Sequence, residues 1–276
     1  MGDLMVAGSR AIILLVVLGL TASALAGCIN PFSDEGKNLR SGPGSDARLY
    51  IRSDPHPKLH VVIDYVPGYA PNDDAVNVLL ATMREVLDKT EVTLSKHGDL
   101  PKRGDTHVYT VADLNALERE YREDYHKGDT AVMHFMYLDG KLQTESKNGC
   151  VLGAAYHGSS IVMFKNCIRT SVEQNEGLLG PKDKALETII ERSVLVHEMG
   201  HLLGLVDNGI PMQRDHLSRD PNHTPHHSTN QNSVMYWAVE SSAALAGLVK
   251  LSSNTAIPYK FDSDDLADID AVKRGA

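Results

Sequence analysis

The chain has no cluster of lysine and arginine, only three cysteines and one tryptophan, and nowhere the pattern GxSxG. Each shortage removes a class of function. With 27 basic against 36 acidic residues, the formal charge is −9 and the pI about 5.8. No basic stripe interleaved with aromatics offers a footprint for a phosphate backbone, so nucleic acid is excluded as a partner. Without a GxSxG elbow, a serine nucleophile has no strained turn to sit on. No internal repeat occurs, and no second linker follows residue 57, which points to one domain. A chain of 276 residues that is 42% hydrophobic and 23% charged is an ordinary globular composition with length enough for a sizeable core.

What is present begins with one long apolar run. AIILLVVLGLTASALA, residues Ala11 to Ala26, follows Arg10 and ends in small residues, the layout of an export signal. It is short for a membrane span, although an uncleaved N-terminal anchor is the alternative. The ending LAGC, Leu25 to Cys28, resembles a prokaryotic lipobox, which implies cleavage before Cys28 and a lipid on that cysteine. The expectation is a signal peptide at 1–27 and an extracytoplasmic protein anchored to a prokaryotic cell membrane. Residues 28–54, polar and rich in Gly, Pro and Ser, read as a flexible spacer, and residues 55–276 as the catalytic domain.

Cys150 and Cys167 bracket VLGAAYHGSSIVMFKN. In an oxidising compartment they are candidates for a disulfide. With Gly158 and Ser159 as a two-residue turn, outward counting sets His157 opposite Ser160 and Cys150 opposite Cys167 in a non-hydrogen-bonded pair. A bridge there would close a loop of about 16 to 18 residues and stabilise by roughly 3 kcal/mol. Two buried free thiols are the alternative, because a bulge would shift the register.

Periodicity predicts strand, helix, strand over KLHVVIDY (58–65), DDAVNVLLATMREVLDK (73–89) and 91–95, then a short helix near 111–122 and a strand at 131–137. Pro181 opens a long helical run from Lys182 to about Leu203. FDSDDLADIDAVKRGA, with Leu266, Ile269 and Val272 on one face, predicts a closing helix whose acids form a solvated face. The fold class is α+β, a mixed twisted sheet of about five strands with an active-site helix and a C-terminal helix.

The chemistry concentrates in VLVHEMGHLLGLVDNG. His197 and His201, four apart, lie about 40° from each other around a helix, so both imidazoles can face one metal. Glu198 stands beside that metal without binding it. Leu195, Val196, Met199, Leu202 and Leu203 make the helix apolar almost all round, so it is buried and its polar groups need a partner. Gly204 can end the helix in the left-handed conformation and let Asp207 return toward the same metal. A loop carrying His216, His223, His226 and His227 follows, then NSVMYW with Met235.

HEMGHLLGLVD together with Ser233, Val234 and Met235 resembles the metzincin metallopeptidases, in which a long zinc motif is followed by a methionine turn beneath the metal. The resemblance implies one catalytic Zn²⁺ on His197, His201 and Asp207, with Glu198 as general base. It also implies Met235 as a support that does not ligate, and the strand near Val151 to Tyr156 as an edge that pairs with peptide substrate. Most metzincins have His where this chain has Asp207; His216 is the substitute third ligand. The loop histidines could equally hold a second, structural metal or lie in solvent. Tyr236 follows Met235 directly and receives no catalytic role.

The expected function is therefore a monomeric, lipid-anchored zinc endopeptidase acting on a peptide or protein substrate. Two alternatives stand beside it. One is a thermolysin-like peptidase with Glu240 as third ligand. The other is an anchored zinc-containing binding lipoprotein without catalysis, which would close the fourth metal position with protein and have no use for Glu198.

Overall fold

The computed structural model describes residues 41–143, 149–175, 183–223, 225–244 and 257–276. The export signal, Cys28 and Pro181 lie outside the described residues.

A five-stranded sheet in the order β2-β1-β4-β7-β6 organises the chain. Its strands are β1 (Lys58–Tyr65), β2 (Glu91–His97), β4 (Thr130–Leu138), β6 (Gly153–His157) and β7 (Ser160–Phe164). β1 pairs in parallel with β2 and β4, and β4 in parallel with β7, while β6 turns back antiparallel as an edge. Central strands of a parallel sheet are covered on both faces, which is why β4 (TAVMHFMYL) reads as an unbroken apolar run and is buried from Ala131 onward. β3 (Val108–Tyr109) and β5 (Lys141–Leu142) form a separate two-stranded pair.

Helix α2 (Asp73–Val86) starts where the side chain of Asn72 accepts from the N–H groups of Asp74 and Ala75, and it buries Val76, Leu79, Leu80 and Met83 on the sheet. Helix α3 (Val111–Tyr121) opens on a Thr110/Asp113 capping box. After β7 come α4 (Lys165–Asn175), α5 (Asp183–Leu202) and, last, α6 (Ser263–Lys273). Helix α5 is the buried one: Leu195, Val196, Met199 and Leu202 are fully covered. A buried Glu191 fixes its position, accepting from the Asn72 N–H at 2.7 Å and the Tyr137 hydroxyl at 3.0 Å, with the Lys165 ammonium alongside.

Three expectations need correction. The acids of α6 do not form a solvated face, because Asp265 and Asp268 are fully buried. The spacer does not run to residue 54, because α1 (Ala47–Ile51) forms there and buries Tyr50 and Ile51 completely. Lys89 ties that segment down by donating to the carbonyls of Leu49, Arg52 and His56. A polar, glycine-containing composition hid two large apolar side chains that the core accepts. The hairpin also differs from an even ladder. His157 does face Ser160, but the next pair is Ala155 with Ile161, so Tyr156 is bulged. Strand β7 then stops at Phe164, and Cys167 belongs to the first turn of α4. The Cys150–Cys167 disulfide exists nonetheless, with Cα atoms 5.7 Å apart, because the helix curls Cys167 back over the loop that carries Cys150.

Candidate metal centre

Near the C-terminal end of α5, the four-residue spacing brings His197 and His201 onto one face, with their Nε2 atoms 3.2 Å apart. A third imidazole joins them: His227 Nε2 lies 3.2 Å from His197 Nε2. Tetrahedral zinc bound at about 2.0–2.1 Å sets its nitrogen donors about 3.3 Å from one another, which matches both separations. His197 Nδ1 is 2.6 Å from the Val234 carbonyl, which can only accept, so that nitrogen carries the proton and Nε2 presents its lone pair. All three rings are buried. Burial pushes His201 down to about 4, so it is neutral at pH 7. Lone pairs converging at this distance, with burial opposing protonation, fit a metal cation.

Glu240 completes the group. Its Oε1 lies 2.9 Å from His227 Nε2 and 3.5 Å from the Nε2 atoms of both His197 and His201. The four side chains form a metal-ligating cluster.

Sequence-distant segments assemble this geometry. The helix stops as Gly204 turns at φ 72°, followed by Val206 and Asp207, also at positive φ. After the long loop, Ser228 N–H donates to the Met235 carbonyl at 2.8 Å and Ser218 N–H to the His227 carbonyl at 2.7 Å, which clamps His227 beside the turn that carries Met235. Met235 is fully buried under α5, and a Cβ at Gly200 would overlap its thioether, so this contact requires glycine. Glu240 follows a 3₁₀ turn (Trp237–Val239).

Glu198 points from α5 toward the edge strand. Its Oε2 accepts from the Ala155 N–H at 2.8 Å, while its buried Oε1 has no hydrogen-bond partner among the described residues. Burial, and then the neighbouring Glu240 charge, push its carboxyl well above the usual range. A cleft of about 710 Å³ opens alongside, lined by Val151, Gly153 and Ala154 on one side and by His223, Trp237 and Glu240 on the other. His223 stacks on Trp237 with ring centroids 3.6 Å apart.

Of the expected third ligands, Asp207 and His216 lie apart from this cluster, whereas Glu240, the alternative third ligand, lies within it together with His227. Asp207 is exposed at φ 61°, and its carboxylate is not part of the cluster: the chain leaves the helix end through consecutive left-handed residues that turn this side chain outward. His216 is buried in a second group, 3.1 Å from Asp268 and 3.8 Å from Asp265. His226 Nδ1 sits 3.3 Å from the Val206 carbonyl. His227 was one of four loop histidines in the sequence and had no distinguishing spacing. Its one signal is that the serine following it can pair with the methionine turn.

No protein-family model matches the chain, and no curated protein does. Among solved structures it is similar to archaemetzincin from Methanopyrus kandleri, with 19% identity over 79% of this chain and 96% of that one and a TM-score of 0.46. It is also similar to archaemetzincin from Archaeoglobus fulgidus, with 17% identity, 76% and 99% coverage and a TM-score of 0.41. A third similar structure is metalloproteinase-II from Bacteroides fragilis, with 12% identity, 86% and 60% coverage and a TM-score of 0.39.

Proposed function

We propose that the protein is a zinc-dependent endopeptidase of metzincin type. His197, His201 and His227 are its metal ligands, Glu198 its general base and Met235 the support beneath the site. The observation that carries this reading is the convergence of three imidazole Nε2 atoms beside a buried glutamate that reaches an edge strand. Zinc held there would polarise the scissile carbonyl and acidify water. The chain's own residues do the rest. Glu198, its basicity raised by burial, takes the proton of the attacking water and returns it to the leaving amine. Strand β6 is the sheet edge among the described residues and would pair with an extended peptide, whose side chains the adjoining cleft would receive. The decisive experiment compares wild type with Glu198→Ala: one zinc per chain in both, with cleavage of casein or a peptide library in wild type alone.

One observation favours a second reading, a zinc protein without catalysis. Glu240 stands where a fourth ligand would close the site. Glu198, beside the cluster and free of any metal-ligating role, is the residue such a protein would not need. Full metal content with no cleavage of any substrate, in wild type and in a Glu240→Gln variant alike, would decide for this alternative.

The remaining parts of the proposal rest on sequence: export, lipid on Cys28 and a monomer held at the outer face of a prokaryotic membrane. Among the described residues no helix is long and apolar enough to cross a membrane. Radiolabelled palmitate entering wild type but not Cys28→Ala would support the anchor.

A further inference from the structure

Glu240 differs from the three histidines in one respect. The side chains of His197, His201 and His227 are 0%, 10% and 1% exposed, whereas that of Glu240 is 24% exposed and lines the 710 Å³ cleft. It is the member of the cluster that faces the direction from which a substrate must arrive. Its backbone is also engaged. Leu152 N–H donates to the Glu240 carbonyl at 2.9 Å, Ser242 N–H to the Cys150 carbonyl at 3.1 Å, and Cys150 N–H to the Ser242 hydroxyl at 2.9 Å. Val151 and Ser241 are antiparallel bridge partners. The turn at Glu240–Ser242, between a 3₁₀ turn and a helical stretch that starts at Ser242, thus docks through one isolated bridge against Cys150–Leu152, the stretch leading directly into edge strand β6.

We propose that Glu240 is a built-in latch, resting on the zinc-site reading above. In the resting protein its carboxylate would close the metal site that His197, His201 and His227 would hold, and the segment behind it lies against Cys150–Leu152, upstream of the peptide-binding edge. A substrate enters by displacing both. The anatomy is that of a removable occupant. The Glu240 side chain is the most exposed of the cluster, while on the opposite side the Cys150–Cys167 disulfide anchors the receiving segment to α4. A carboxylate presented by a substrate or inhibitor is the chemistry suited to replace Glu240, since it would meet the same three imidazoles.

The experiment uses full-length protein loaded with Co²⁺, whose visible spectrum reports coordination, titrated with azide and with a simple hydroxamate. Wild type, Glu240→Gln and Glu240→Asp are compared, the last keeping the charge while shortening the reach by one methylene. The proposal expects one metal per chain in all three. It expects the spectra of both variants to respond at azide concentrations at least about 10-fold lower than wild type requires, with higher peptide-cleavage rates. Equal azide titrations in wild type and Glu240→Gln would overturn it, as would loss of the metal from Glu240→Gln, which would make Glu240 an obligatory ligand. Failure of the zinc reading itself looks different: wild type would then take up no metal at all.

Discussion

Two buried groups of the same molecule contain histidine and carboxylate, and they are built on opposite principles. In the first, His197, His201 and His227 bring their Nε2 atoms toward one point, with Glu240 at the open side. In the second, His216 lies between carboxylates, Nε2 at 3.1 Å from Asp268 and Nδ1 at 3.8 Å from Asp265. Three ligand atoms of this group, from His216, Asp262 and Asp265, also come close together. Yet its carboxylates already serve the protein. Asp262 and Asp265 form the capping box of α6, Asp265 accepts from the Ser233 hydroxyl at 2.6 Å, and Asp268 accepts from the Gln213 N–H at 2.6 Å. The first group brings donor atoms close enough together to hold a metal ion. The second stitches α6 to the loop and to the methionine turn, where the Ser233 hydroxyl in turn accepts from the Met235 N–H. Residue type alone does not separate a ligand from a brace; the direction of the lone pairs does.

The comparison breaks most visibly by removing one imidazole from each group. His227→Ala should weaken zinc binding by at least about 100-fold, the upper end of what even supporting residues cost, while His216→Ala keeps its zinc. Asp207→Asn should also keep it. Equilibrium dialysis with metal analysis reads all three, and zinc loss in Asp207→Asn instead of His227→Ala would reverse the ligand assignment.

Next in size, Asp268→Ala strips a fully buried partner from His216. It should cost about 3–5 kcal/mol in urea unfolding while the remaining folded protein binds metal normally. A smaller effect is expected from Gly200→Ala, which pushes Met235 from its seat: about 1–3 kcal/mol of overpacking, together with weaker metal binding. Unchanged stability and affinity would show that the methionine turn does not support the site.

The smallest effect is a pH dependence. Burial, followed by the Asp262 charge, raises the Asp265 carboxyl to about 6. A carboxyl raised in the fold holds its proton more tightly there than in the unfolded chain, where it titrates near 4. Its stabilising contribution is therefore complete below about pH 4 and is lost as pH rises to about 6. Thermal unfolding of Asp265→Asn should show a flatter stability profile across that window than wild type, and parallel profiles would remove Asp265 as the cause.

Much of the architecture was legible in local pattern. KLHVVIDY alternates and is a strand, the Asn72-capped helix carries its apolar face at the expected spacing, and the closing helix α6 forms over Ser263–Lys273, capped by Asp262. Where local reading failed, a nonlocal contact decided. The spacer hid α1 because Tyr50 and Ile51 find their pocket only in the assembled core. The hairpin count missed the bulge at Tyr156, whose hydroxyl is drawn to Glu118 in a buried network with Arg122 and Ser160.

The same division holds at the site. That His197 and His201 face one point, with Glu198 beside them on a buried helix, follows from 3.6 residues per turn and from the apolar residues around them, and sequence alone determines it. The third imidazole and Glu240 obey no such period. They arrive through backbone pairing of Ser228 with the methionine turn and of Leu152 with Glu240. Such pairing joins residues by their place in space, with no fixed interval along the chain, so only the tertiary structure could select His227 over Asp207.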